Sequence, residues 1–306
     1  MGRKRRYGRN ISGILLLDKG MDITSNAALQ QVKTLFRAKK AGHTGSLDPL
    51  ATGLLPLCLG EATKLSSFLL DSDKEYEGTC QLGSRTRTGD AEGEVIDTRP
   101  VPEISEAFLK PHCDAFVGEI EQIPPMHSAI KKDGQPLYKL AHQGIEVERE
   151  PRKVTVYELT ILSVGETDFR FRLRCSKGTY VRTLVEDIGE RIGCGAYLAS
   201  LRRTGVGPFH IDDAITYEEL AHIAEDEGQE GLDKLLIPMS EALDNWPAVH
   251  LTENSAYYVR QGQPVQVPRA PTSGWVRLFA GNEHFLGVGQ VLDDGRVAPK
   301  RLINSG

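Results

Sequence analysis

The chain has 306 residues, 40% of them hydrophobic, which suits one large globular domain or two unequal ones. Its five cysteines form an odd set with no C-x-x-C spacing, which argues against a disulfide framework or a zinc site and reads as reduced cytosolic thiols. After the basic start only the run ILLL precedes Asp18 and Lys19, and Arg6 breaks the myristoylation pattern, so no signal or membrane span is expected and the protein is assigned to the cytoplasm.

A formal net charge of −5 speaks against a nucleic-acid partner until its distribution is considered. Residues 212–253 hold twelve Asp and Glu against Lys234 alone, a local charge of −11, so the rest of the chain carries +6. Basic residues cluster from Arg3 to Arg9, Lys33 to Lys40, Lys131 to Lys139, Arg149 to Lys153 and Arg170 to Arg182. Single charge runs are usually solvated faces, but five of them apart from one acidic block make an electrostatic footprint for phosphates.

In chain order, residues 13–18 read as a strand and TSNAALQQVKTLFRAKK as an amphipathic helix with Thr24 or Ser25 as its cap. Leu54–Leu59 reads as a buried strand, Glu61–Leu70 as a short helix and Tyr76–Leu82 as an alternating strand. SRTRTGDAEGE is expected to be a polar loop, followed by a helix over 104–117. Two long strands meet across Gly165–Asp168, the second alternating Phe169, Phe171, Leu173 and Cys175 against Arg170, Arg172 and Arg174, and this arginine face is expected to meet RNA. A helix over Val181–Ile192 follows, and after the acidic stretch come short strands separated by Gly-Asn and Asp-Asp-Gly turns. Strands and helices without a βαβ rhythm predict an α+β fold with a mixed, largely antiparallel sheet. The last part forms a small β module of roughly sixty residues.

The stretch AGHTGSLDPLATGLLPLCLGEATK, residues 41–64, concentrates glycines, a histidine and an Asp-Pro pair in a segment too irregular for a continuous helix or strand. Gly42, Gly45 and Gly53 permit unusual backbone conformations and Pro49 pushes Asp48 into an extended one, so a stiff turn presents the carboxylate. An Asp in such a place most often stabilises only its own turn. No P-loop, H-E-x-x-H, G-x-S-x-G or H-x-E with P-C-x-x-C is present, and GVGPF and GVGQV are too short to be dinucleotide loops. Chemistry therefore falls to carboxylates, aromatics and basic residues, with no cofactor and no metal expected.

The same stretch resembles the central motif of the TruB-type tRNA pseudouridine synthases. The resemblance continues through ILLLDKG with TSNAALQQVK, DSDKEYEGTCQLGSRTRTGDAEGEV, QIPPMHSAIKKDGQPLYKLAHQGIEVEREPRKVTVYEL, CSKGTYVRTLVEDIGERIGCGAYLASLRRTGVGPF and the C-terminal segment, and so covers nearly the whole chain. It implies isomerisation of uridine 55 in the T loop of tRNA. Asp48 matches the family's catalytic aspartate, which acts as nucleophile or charge stabiliser while uracil is detached, turned and rejoined through C5. Arg182 matches the arginine that pairs with it. Tyr76 matches a tyrosine that stacks on the base and serves in late proton removal, and Tyr180 a further substrate-binding position. His43 matches a residue that fills the space left by the flipped base, and Leu201 a position lining the uracil pocket. Lys19 and Lys64 lie in family motifs as phosphate contacts or braces, with Lys64 placed among the substrate-binding residues. Asp90 lies in TGDAEG without an assigned role.

One departure stands out: Gly20 and Asp22 replace the Pro and Gly of the family's usual DKPxGxTS. The expected organisation is a catalytic domain over 10–250, an RNA-contacting insertion over 124–152 and a PUA-like β-barrel module over 251–306, acting as a monomer on the tRNA T stem-loop. Two rival readings stand beside it, a binding protein that remodels tRNA without chemistry and another RNA-base enzyme such as a methyltransferase or a deaminase. The missing nucleotide loop and zinc constellation speak against both enzyme alternatives.

Overall fold

The apolar runs become the inner strands of one ten-stranded mixed sheet. The computed structural model describes residues 8–304 apart from 129, 133 and 282. Most of the first basic cluster, and the Asn282 of the expected Gly-Asn turn, therefore lie outside the described residues. In chain order the first strands are β1 (Gly13–Lys19), β2 (Ala41–His43), β3 (Thr52–Leu59) and β4 (Lys74–Leu82), then the small pair β5 (Ser84–Thr86) and β6 (Val95–Thr98). β7 (Gly118–Gln122), the hairpin β8 (Lys131–Lys132) and β9 (Gln135–Pro136), β10 (Arg152–Val164), β11 (Asp168–Cys175), β12 (Ala196–Val206), β13 (Phe209–His210) and β14 (Ile215–Thr216) follow. Across the sheet the order is β14-β1-β3-β12-β4-β11-β10-β7, with β2 on β3 and β13 on β12. Only the pairs β1–β14 and β3–β12 are parallel, so the expected mixed, largely antiparallel α+β sheet is what forms.

Three local expectations change. Ala41–His43 pairs with Leu57–Leu59 as a short strand inside the stretch expected to be irregular. The helix expected over 61–70 divides into a 3-10 turn, Gly60–Lys64, and the short helix α2 (Ser66–Leu70). There the Thr63 hydroxyl bonds back to the Gly60 carbonyl and Ser66 to that of Thr63, competing with the helical ladder. SRTRTGDAEGE begins in β5, which pairs with β6. The central strand β12 was not anticipated. Register shifts at Leu198/Ser200 and Arg203/Gly205 interrupt its pairing with β4, which erases the alternation that betrays a strand.

One face of the sheet carries Tyr76, Cys80, Phe169, Phe171 and Leu173 into the main core. It is covered by α1 (Ser25–Leu35), α3 (Glu106–Asp114) and α5 (Val181–Ile192), with Leu29, Val32, Leu109, Leu184 and Ile188 buried against it. The other face holds Arg170, Arg172 and Arg202. These arginines are matched by acids: Glu77 takes Arg170 at 3.5 Å and Arg172 at 3.0 Å, and Asp18 takes Arg202 at 2.6 Å. Of the expected arginine face, Arg170 and Arg172 thus share the single carboxylate of Glu77, while Arg174 lies over the Tyr157 ring at 4.6 Å.

The acidic stretch supplies α6 (Tyr217–Asp226) and α7 (Gly228–Asp233), and Asp233 of the latter pairs with Arg9. Beyond it, β15 (Ala248–Leu251), β16 (Trp275–Ala280), β17 (His284–Val291) and β18 (Val297–Leu302) form a separate four-stranded sheet. Its first strand starts just ahead of residue 251, and with helix α8 (Glu253–Arg260) it buries its own core of Val249, Val259, Val276, Leu278 and Val297. The module docks through Trp275, stacked on Trp246 at 5.4 Å, with Phe68 edge-on to both rings at 5.0 Å.

Candidate active site

Asp48 lies in the loop between β2 and β3, and the surrounding chain fixes that loop from several sides. Thr24 caps α1, accepting from the Ala27 amide, which leaves the neighbouring Ser25 free to face inward. The buried Ser25 hydroxyl donates to the Leu47 carbonyl at 3.0 Å and accepts from the Leu47 amide at 2.7 Å. On the other side of Asp48, Lys19 donates to the carbonyls of Gly20 and Ile23 at 2.8 Å and of Pro49 at 3.3 Å. Burial lowers the Lys19 ammonium to about 8, a pull that the Asp48 charge partly opposes.

The substitution at Asp22 is explained by this contact. The Asp22 amide donates to the Pro49 carbonyl at 3.0 Å from a backbone at φ 61°. That left-handed conformation favours Gly, and Asp is among the few other residues that adopt it readily. Gly20 needs no such freedom, since a Cβ there would meet nothing within 4 Å.

The Asp48 carboxylate turns to Arg182, its Oδ2 3.0 Å from the guanidinium, which is 8% exposed while the Asp48 side chain is 51% exposed. Among the described residues the carboxylate makes no bond to its own turn, so its polar partner is Arg182. Arg182, in the first turn of α5, is engaged through both terminal nitrogens: it also donates to the carbonyls of Thr88 at 3.0 Å and His127 at 2.9 Å, and faces Asp90 at 3.4 Å. The role of Asp90 becomes visible here. Buried and bonded to the Thr88 hydroxyl and the Glu92 amide, it backs Arg182 from the side away from Asp48. His127 lies within 124–152, the segment expected to be an RNA-contacting insertion, and its backbone carbonyl meets the arginine.

Tyr76 is buried on β4, directly opposite Arg203 on β12. Burial pushes its phenol up, and the Arg203 charge opposes that. Leu201 lies two residues earlier on β12, opposite Gly78 and partly buried against the same core. His43 ends β2, its Nδ1 buried without a partner, and burial followed by the Arg203 charge lowers its basicity, favouring a neutral imidazole. Tyr180 caps the start of α5, and Gln122 clamps its backbone, accepting from the amide at 3.0 Å and donating to the carbonyl at 3.3 Å.

The structure does not bring Lys64 to this group. It lies past the far end of β3, paired with Glu61 at 2.6 Å and donating to the Leu302 carbonyl at 2.9 Å. Its place is the seam with the C-terminal module, and bracing is the role these contacts support. Ser25, Arg203, Gln122 and His127 are site residues that sequence reasoning missed. Ser25 was weighed only as a cap, and Arg203 is hidden behind Arg202 in SLRRTG.

The fold matches solved pseudouridine synthases. The chain aligns over 95% of its length with 84% of a chain in a structure of a Cbf5-Nop10-Gar1 complex, TM-score 0.73 and 25% identity. It aligns over 99% with 92% of a chain in a structure of an H/ACA RNP bound to a substrate RNA containing 2'-deoxyuridine, TM-score 0.74 and 23% identity. On this fold the Asp48 carboxylate is held by the buried guanidinium of Arg182.

Residues 33–181 match the model of the TruB family pseudouridylate synthase N-terminal domain, 182–244 that of the tRNA pseudouridylate synthase B C-terminal domain, and 247–303 that of the pseudouridine synthase II TruB C-terminus. A tRNA pseudouridine synthase B of Pseudomonas putida (strain GB-1) is 56% identical over 305 residues, with 100% of both chains covered. One of Nitrosococcus oceani is 55% identical over 306 residues, covering 100% of this chain and 99% of the relative. The chain belongs to the TruB family of pseudouridine synthases.

Proposed function

We propose that the chain converts uridine 55 in the T loop of tRNA to pseudouridine, with Asp48 carrying the chemistry. The observation that supports this most directly is the Asp48–Arg182 pair: a half-exposed carboxylate aimed by a buried guanidinium that two backbone carbonyls hold in place. Such a carboxylate supplies a nucleophile or charge stabiliser for cleaving the N1–C1′ bond without a cofactor. Tyr76 stacks on the flipped uracil and removes the C5 proton, Leu201 lines the base pocket and Tyr180 contacts the substrate. His43, neutral and with an unpaired Nδ1, fills the space the base vacates. The insertion over 124–152 closes on the RNA, and the C-terminal module, which resembles PUA modules, binds RNA outside the reaction centre. The protein acts as a monomer in the cytoplasm, without metal or cofactor. Among the described residues no helix is long and apolar enough to cross a membrane.

The test incubates purified protein with an unmodified tRNA transcript and digests the product to nucleosides. Isomerisation leaves the mass unchanged and moves one uridine, that of the T loop, to the retention of pseudouridine. Added mass, a need for a methyl donor or a metal, or conversion at a different position would contradict the proposal.

A further inference from the structure

Arg203 is 1% exposed and ranks among the largest fully buried side chains. Among the described residues no carboxylate pairs with it. Its Nε donates to the Leu54 carbonyl at 2.7 Å, one terminal nitrogen donates to the Gly45 carbonyl at 3.2 Å, and across the strand pair the guanidinium faces the Tyr76 side chain. The backbone around it is equally constrained. Arg203 is in register with Tyr76 on one side and Gly53 on the other. Gly53, at φ 99°, comes so close that a Cβ would stand 2.3 Å from the Arg203 carbonyl oxygen. A buried cation whose partners are two carbonyls and a phenol is costly to keep. Two carbonyls could be satisfied by neutral donors, so the positive charge itself requires a reason.

We propose that Arg203 is a positioning residue for proton removal: it fixes the Tyr76 oxygen, offsets the charge that oxygen bears as a base, and ties the Asp48 loop to the same strand through Gly45. The inference rests on the assignment of Tyr76 as base in the preceding section. After uracil has rejoined the ribose through C5, the Tyr76 phenolate takes the C5 proton. The C5–H pair becomes the C5=C6 bond, and the C6=N1 pair moves to N1, which takes a proton from solvent. The phenol then returns its proton to solvent. In a low-dielectric site a guanidinium on the phenol oxygen favours the phenolate strongly. The other groups that feel this pair are Cys175 on β11, Asp48 on the loop, and Lys19, His43 and Lys74. Burial, the largest influence, opposes phenolate formation, as do Cys175 and Asp48, and Arg203 is the group that favours it.

The experiment measures single-turnover conversion of saturating tRNA against pH for the parent protein, Arg203→Gln, Arg203→Lys and Tyr76→Phe, with protium or deuterium at uridine C5. Arg203→Gln should be at least tenfold slower at neutral pH, shift the basic limb of its profile to higher pH, and show a larger deuterium effect. Arg203→Lys, which keeps the charge, should recover part of each. A Tyr76→Phe protein that remains active would remove the base assignment beneath the inference. An inactive Tyr76→Phe together with an Arg203→Gln whose profile and isotope effect match the parent would overturn the inference alone. Should the Arg203 variants fail to fold, the parent protein labelled with ¹³Cζ-tyrosine and ¹⁵Nε-arginine decides. The Arg203 nitrogen should shift with the same midpoint as the Tyr76 carbon, and a nitrogen blind to that titration would refute the pairing.

Discussion

Ser25→Ala removes one hydroxyl that lies away from the reacting atoms and should nonetheless slow the reaction. Ser25 is 3% exposed, and its oxygen satisfies both backbone groups of Leu47, the residue before Asp48. The substitution leaves a buried N–H and a buried C=O without partners, at about 1–3 kcal/mol each, and a realistic total after relaxation is about 2–4 kcal/mol. With an unfolding entropy of about 2 cal/mol/K per residue, that is a fall in melting temperature of roughly 3–6 °C. Displacing Leu47 moves Asp48 relative to Arg182, and a shift on the order of 1 Å costs roughly a hundredfold in rate. Calorimetry and single-turnover conversion at saturating tRNA measure the two effects. Thr24→Ala is the control, since it removes only the helix cap, about 1 kcal/mol, and should leave the rate unchanged. A Ser25→Ala protein with parental melting and parental rate would refute the reasoning that this pair of bonds sets the loop.

Asp22→Gly should leave the rate unchanged and raise stability by up to about 1 kcal/mol, because the φ of 61° suits glycine better; a marked loss in denaturant titration would mean the Asp22 carboxylate has a role of its own. Lys64→Met should lower the stability of the C-terminal module, read by hydrogen exchange in β17 and β18, while single-turnover conversion at saturating tRNA holds; a large fall in that rate would return Lys64 to the substrate site. The thiols of Cys58, Cys113 and Cys175 are pushed up by burial from 9.0 to about 12. The unfolded chain therefore loses these protons first, so their stabilisation is complete below pH 9 and is lost towards pH 12. Lys19 and Lys74, lowered to about 8, act in the opposite sense between pH 8 and 10.5, but the thiols outnumber them. Chemical denaturation should therefore show stability falling above pH 9, and a rise from pH 9 to 11 would contradict the burial of these thiols.

The elements that were legible in the sequence are those whose pattern is local. Helix α5 matches its expected limits, Val181–Ile192, because a strong apolar face ends at a glycine in the left-handed conformation, Gly193. Strand β11 was equally plain from its strict alternation. Strand β12 was not, because its bulges shift which side chains face the core. The alternation of β11 reads as a charged arginine face, but Glu77, the acid that Arg170 and Arg172 share, sits on β4, distant in the chain, and only the register brings them together. The same holds for the site. Asp48 and Arg182 stand out through the family motifs, whereas Ser25, Arg203 and Asp90 act through contacts between segments up to 158 residues apart that no local pattern displays. The structure also shows a cost in removing the C-terminal module by truncation at 251. Val288, Trp275 and Phe285 pack into a core cluster with Ile14 and Leu54 of the main sheet, so deletion would uncover apolar surface.

The central claim is that the negative charge of Asp48 carries the reaction. Asp48→Asn keeps the volume, the Asp-Pro backbone constraint and a hydrogen-bond acceptor for Arg182, and removes only that charge. Conversion of saturating unmodified tRNA should fall by several orders of magnitude in a single turnover, with the melting temperature and the tRNA affinity at a fixed salt concentration retained, because the lost interaction belongs to the transition state. A folded Asp48→Asn protein that still forms pseudouridine near the parental rate would contradict the account.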